Sequence, residues 1–197
     1  MDKLVKSANV WKGLKDYCFL ITYSSKGKLR EIPIVFDLED FFHLAGFQYA
    51  NDIVLFKSSK TKTIDCILNN KITLEQLKKS QNYQTMIDTR LNSLCLIDKV
   101  LNNPFKLYRF NTRGYNFYTD IEASYFIYDE ETGCSIFFFI REDNGSSYFH
   151  GISIFEKGIK DFCMNNRPLK IMKKEKVNLI TEDRSVLYEN SNISLLK

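Results

Sequence analysis

The sequence predicts an α+β fold with an early β-hairpin, a helical middle and a C-terminal antiparallel β-meander. Three observations predict it. Two β-rich runs, residues 17–23 and 29–36, flank the turn-forming segment Ser24-Ser25-Lys26-Gly27-Lys28. Residues 52–103 carry apolar side chains near helical period. Beyond Pro104, aromatic runs at residues 123–128, 134–140 and 148–155 are separated by short joints rich in Asp, Asn and Gly.

Residues 1–16 place Leu4, Val5, Val10, Trp11 and Leu14 among lysines, which suits a short leading helix. The hairpin follows. Pro33 within its second arm cannot donate to a ladder, so that arm is expected at an edge or a bulge. Next, Phe41, Leu44, Ala45 and Gln48 fall at i, i+3, i+4 and i+7, which predicts one apolar face of a short helix. Asp37 is its expected cap, and Glu39-Asp40 in the first turn suit the helix dipole. His43 lies beside that face, within reach of either acid. The same pattern also suits a structural, hydrogen-bonded histidine.

The helical middle begins after the polar run at residues 57–62. Ile64, Ile67 and Leu68 mark one helix, and Thr73 with Gln76 has the spacing of a capping box for another. Residues 83–101 read as the longest helix, ended by Asn102-Asn103-Pro104. After a strand at residues 105–110 and a turn-like stretch comes the meander. In its last strand, His150 alternates with Tyr148, Ile152 and Ile154, which leaves Phe149, Gly151, Ser153 and Phe155 on the other face. Strand potential recurs at residues 169–172 and 177–180, in a lysine-rich tail. The expected division is an α+β unit over residues 1–155, with a helical insert at 52–103, and a hairpin or tail over 156–197 packed on it.

The chain has 197 residues, 44% hydrophobic and 26% charged, enough for a sizeable core and unlike a disordered chain. Sixteen Phe and 11 Tyr suit a core, stacking on bases or a protein interface. A net charge of +4 permits contact with nucleic acid without requiring it. Five cysteines at irregular spacing, with no CxxC pair, give a zinc site no local support and read as reduced thiols. No signal-length or membrane-length apolar run is visible, so a cytoplasmic chain without membrane contact is expected. No GxGxxG, P-loop, GxSxG or HExxH occurs. No cofactor and no metal are expected.

Metal-free acid–base chemistry on RNA fits what remains. It needs a base, an acid for the leaving 5′-oxygen, and cations or hydroxyls around the phosphorane. His43 and His150 titrate near neutrality. Lys57, Lys106, Arg109 and Arg141 are candidate phosphate contacts, and Ser153, Tyr108 and Tyr125 offer hydroxyls or stacking faces.

The run Phe42-His43-Leu44-Ala45-Gly46-Phe47, with the preceding hairpin and the later Ala123-Ser124-Tyr125-Phe126-Ile127, Phe137-Phe138-Phe139 and Ser153-Ile154-Phe155, resembles the phage-associated branch of the barnase/EndoU/colicin/RelE-like ribonucleases. The resemblance spans residues 17–155 by element order and rests on the His-Leu-x-Gly run. It implies a metal-independent ribonuclease fold used as a toxin, with RNA (tRNA among the candidates) as substrate and an antitoxin or immunity protein as partner. It also implies site roles for His43 and Ser153. Lys57, Lys106 and Arg109 are named for the basic roles by residue type alone. The competing expectation is a non-catalytic RNA- or protein-binding module of a mobile element. Oligomeric state is not legible.

Overall fold

The hairpin forms as expected, with β1 at Tyr17–Ser25 and β2 at Lys28–Ile34. Lys26 and Gly27 take φ of 51° and 73°, the two positive values that a tight two-residue hairpin turn requires. A computed structural model describes residues 2–55, 59–143 and 145–193. Six further strands complete one sheet: β3 (Lys106–Arg109), β4 (Tyr125–Asp129), β5 (Ile136–Glu142), β6 (Phe149–Glu156), β7 (Lys170–Asn178) and β8 (Arg184–Glu189). Their spatial order is β3-β4-β5-β6-β2-β1-β7-β8. Every pairing is antiparallel except β2 with β6. The fold is α+β.

The sheet curls until its ends touch. The Tyr23 and Tyr125 hydroxyls, on β1 and β4, meet at 2.9 Å across the intervening strands. Leu169 N–H donates to Leu107 O at 2.7 Å, which joins the β3 edge to the start of β7. The concave face holds the main core, where Phe19, Ile21, Ile34, Ile127, Phe138 and Ile140 are buried against the helices. A second cluster of Phe126, Phe137, Phe139 and Phe162 lies on the convex face.

Helix α1 (Lys3–Leu14) is capped by Asp2, whose carboxylate accepts from Val5 N–H at 2.9 Å. It buries Leu4, Ala8, Trp11 and Leu14 and ties two regions together. Trp11 Nε1 donates to Asp37 O at 2.8 Å, and Lys3 Nζ reaches Asp88 at 2.7 Å. Helix α2 spans Asp40–Leu44, α3 Thr63–Leu68 and α4 Leu74–Leu77; α4 carries the expected Thr73/Gln76 capping box. The expected long helix over residues 83–101 is broken instead. A π-helical turn at Tyr83–Asp88 leads into α5 (Thr89–Leu94), and α6 (Ile97–Asn102) restarts after Cys95-Leu96. α5 packs on both α1 and β6, and α6 packs on α1.

Two further expectations change. The strands expected at residues 169–172 and 177–180 are one strand, β7, and its partner β8 lies further on. The lysines between them are tolerated because their stems cover rings and their charges pair. Lys176 Nζ lies 4.4 Å from the Tyr17 centroid and Lys173 pairs with Glu175 at 2.9 Å. Pro33 sits where β2 has an unladdered side, because β2 meets β6 only at Ile34↔Phe149. Beyond Phe149, β2 no longer pairs with β6, which leaves that edge of β6 without a strand partner, and α2 and α5 pack against β6.

Candidate active site

That unpaired edge of β6 builds the site. A groove of about 290 Å³ runs beside it, between the helical layer and residues 120–122. His43 from α2, Arg90 from α5, Arg141 from β5 and Ser153 from β6 all line it. A smaller hollow of about 220 Å³ adjoins it, and both contain Arg141 and Ile152. His150 and Asp40 line this hollow.

A β-bulge decides which strand residues look outward. Phe139 pairs with Ser153, but Ile140 pairs with Gly151, which leaves Ile152 as the extra residue. The register therefore puts His150 opposite Arg141 and Ser153 opposite Phe139 on one face, while Gly151 and Ile154 face the helices. The simple alternation, which placed His150 with Ile154, does not hold. Gly151 has no room for more: a Cβ there would lie 2.7 Å from the Phe138 ring and 3.2 Å from Leu44.

His43 is exposed at the end of α2, and its surroundings differ from expectation. Its partner is neither Glu39 nor Asp40. Lys60 Nζ lies 2.7 Å from His43 Nε2, so the ammonium donates to a neutral ring. Burial of the ring and then the Lys60 charge hold its pKa below the ordinary histidine value. Gly46, at φ +80°, stops α2; a Cβ there would lie 2.8 Å from Met86 O. Gln48 is thereby turned out of the expected apolar face, and it lines the groove.

The carboxylates serve the other histidine. Asp37 does not cap α2, whose N-cap Glu39 makes no side-chain cap bond. Instead, His150 Nδ1 lies 3.3 Å from Asp40 Oδ2 and 3.5 Å from Asp37 Oδ2. Burial is the main cause that pushes Asp40 up to about 6, and the His150 charge opposes it. The donor atoms of Asp37, Asp40 and His150 fall within 4.8 Å of one another, the one such group among the described residues able to hold a metal ion.

Arg90 was not singled out from the sequence. Its Nη1 donates to Met86 O at 2.7 Å, and its guanidinium lies 5.1 Å from the Tyr49 centroid and 5.8 Å from that of Phe155. Among the described residues no carboxylate lies within 4 Å of it. Burial lowers its pKa, yet a guanidinium stays cationic in proteins. It is a fixed cation with donors to spare at the groove. Arg141 is more exposed and lies 3.5 Å from Glu122.

The remaining candidates lie elsewhere. Arg109 and Tyr125 belong to the hydroxyl cluster with Tyr23, and the Arg109 guanidinium lies 5.8 Å from the Tyr125 centroid. Tyr108 is buried in the convex cluster, stacked on Phe126 at 4.8 Å. Lys106 pairs with Glu130 on the far edge. Lys57 lies outside the described residues. The groove thus brings together His43, Ser153 and Arg141, with His150 next door, and does not bring in Arg109, Lys106, Tyr108 or Tyr125.

The two adjoining hollows thus set two titratable imidazoles beside two arginines, on a sheet that curls round its helices. The chain belongs to a family described as phage-Barnase-EndoU-ColicinE5/D-RelE like nuclease, whose model matches residues 3–191. No curated protein and no solved structure matches it. No helix among the described residues is long and apolar enough to cross a membrane.

Proposed function

We propose that this chain is an endoribonuclease that needs no metal ion and cleaves RNA by internal attack of a 2′-hydroxyl on the adjacent phosphate. The observation that carries the reading is the shared Arg141, which lies between two histidines in opposite electrostatic settings. His43 is neutral at its Nε2 and faces a cation, which suits the base. It takes the 2′-hydroxyl proton as the 2′-oxygen bonds to phosphorus. His150, held by two carboxylates at Nδ1, suits the acid and protonates the departing 5′-oxygen. The products are a 2′,3′-cyclic phosphate and a 5′-hydroxyl. Arg90 and Arg141 bind the non-bridging oxygens, where donors already in place stabilise charge that grows in the transition state. Lys60 moves from His43 to the phosphate as substrate enters. Ser153 is a further hydroxyl donor.

The family resemblance supports the cellular reading of a cytoplasmic toxin or defence protein, with tRNA among its substrates and an antitoxin or immunity protein as partner. One observation favours a second reading: the Asp37, Asp40 and His150 donors could hold a divalent ion that assists cleavage instead. Incubating total RNA or tRNA with the protein in EDTA separates the two. Cleavage in EDTA that leaves cyclic-phosphate ends and is lost in His43→Ala supports the proposal. Cleavage only on adding Mg²⁺ or Mn²⁺ supports the metal reading, and RNA binding without turnover supports a binding module.

A further inference from the structure

A second cavity opens at the seam where the two ends of the sheet meet. It measures about 390 Å³, within the ~300–1,000 Å³ of small-molecule sites. It shares no lining residue with the groove or the adjoining hollow. Phe105, Leu169, Ile171 and Leu187 give it an apolar wall, and Tyr188 also lines it.

Lys174 breaks this apolar pattern. Register opposite the buried Ile21 points its side chain to the concave face, and the residue is only 3% exposed. Its Nζ donates to Asn103 O at 2.6 Å and lies 4.6 Å from the Phe105 centroid. No carboxylate among the described residues lies within 4 Å of it, and the adjacent Glu175 is taken by Lys173. An ammonium has three donors, and among the described residues one of them finds an acceptor, Asn103 O. A buried cation without a counter-charge is costly, and burial accordingly pulls Lys174 down to about 8, so it stays protonated at pH 7.

We propose that this cavity binds a small amphipathic monocarboxylate, its carboxylate on Lys174 Nζ and its aliphatic or aryl body among Phe105, Leu169, Ile171 and Leu187. A single buried cation selects one acidic head. The apolar wall requires a hydrocarbon body and excludes sugars and polyanions, which would lose water without finding partners. The exposed Lys170, which also lines the cavity, favours the approach of an anion. A ligand seated there touches β3, β7 and β8 together and so favours the closed seam, independently of the chemistry at His43.

The test is calorimetry and thermal melting of the full chain at pH 7 with octanoate and, as the uncharged probe of equal length, octan-1-ol. Octanoate should bind at least tenfold more tightly than octan-1-ol and raise the melting temperature by several degrees when in large excess over its Kd. Lys174→Met should remove that preference. Leu187→Trp fills the cavity from its β8 wall and leaves the ammonium in place, so it decides the matter should Lys174→Met not fold. It should abolish octanoate binding while RNA cleavage is unchanged. Equal binding of the two probes, or undiminished octanoate binding by folded Leu187→Trp, overturns the proposal. Either result leaves the nuclease reading untouched.

Discussion

The two histidines of this chain occupy neighbouring hollows and meet opposite charges. His43 is exposed on a five-residue helix with Lys60 at its Nε2. His150 is half-buried on a strand, with Asp37 and Asp40 at its Nδ1. Burial and then the Lys60 charge favour the neutral form of one ring; a protonated ring at the other has two counter-charges. On the reading proposed above, two chemically identical side chains are given the roles of base and acid by their surroundings. The difference teaches that neither histidine can be read from its own sequence neighbours. His43 has acidic neighbours in sequence and a basic partner in space, and the acids near it in sequence reach across to His150.

Removing either imidazole should have the largest effect. His43→Ala and His150→Ala are each expected to lower kcat/KM for RNA by ~10²–10⁴-fold, the usual contribution of a positioned acid or base. The comparison gains most from a substrate whose 5′-leaving group departs without protonation. That substrate should rescue His150→Ala and leave His43→Ala impaired. Rescue of both, or of neither, would remove the division of roles.

Arg90→Gln comes next. Loss of one preorganised donor at the developing charge costs ~10²–10³-fold in kcat. Because Arg90 also packs on Tyr49 and Phe155, the readout is the split between kcat and KM with melting temperature measured alongside. Arg90→Lys, which keeps the charge but not the two-pronged geometry, should recover only part of the rate. A uniform loss that follows stability would make Arg90 merely structural.

The sequence made most of the fold legible, because its signals are local. The Lys26-Gly27 turn, the capping box at Thr73 and the turn-rich joints of the meander each act within a few residues. What was not legible depends on long-range geometry. The bulge at Ile152 reverses the face of half a strand, yet nothing in Gly151-Ile152-Ser153 marks where the extra residue falls. Lys57 lies outside the described residues; from the same basic run Lys60 reaches His43, a pairing that residue type alone does not single out. Arg90 sits next to the stripe of Ile87, Leu91 and Leu94. A cation flanking a buried stripe was the available signal, although such residues more often cover apolar surface with their stems. Asp37 suits a helix cap by residue type, but Trp11 takes its carbonyl and its carboxylate turns to His150.

Asp40 offers a test of the acidic side through stability. Its folded-state pKa of about 6 lies above the ~3.9 of an unfolded chain, so the folded state binds this proton more tightly. Stability from that proton is complete below pH ~4 and is lost as pH rises through 6. At pH 7.5 the wild type therefore carries the cost of a buried charge that Asp40→Asn lacks. The stability of Asp40→Asn relative to wild type should improve by on the order of 1–2 kcal/mol between pH 4 and pH 7.5, measured by urea unfolding. A difference that stays flat with pH would mean that Asp40 ionises normally and that the two hollows differ less than their geometry implies.

Lys60→Met gives the smallest effect and the sharpest contrast. Lys60 and burial both depress the His43 pKa, so removing the ammonium lets that pKa rise. A base must be unprotonated, hence the acid limb of the kcat/KM profile should move to higher pH. At pH 8, where His43 is neutral in both proteins, the remaining loss should be about tenfold, the worth of one charge-assisted contact to phosphate. Asp37→Asn, at the other hollow, should leave that limb where it is, because Asp37 faces His150. If both substitutions moved the same limb in the same direction, the two imidazoles would be titrating as one coupled unit, and the assignment of base to one and acid to the other would have to be given up.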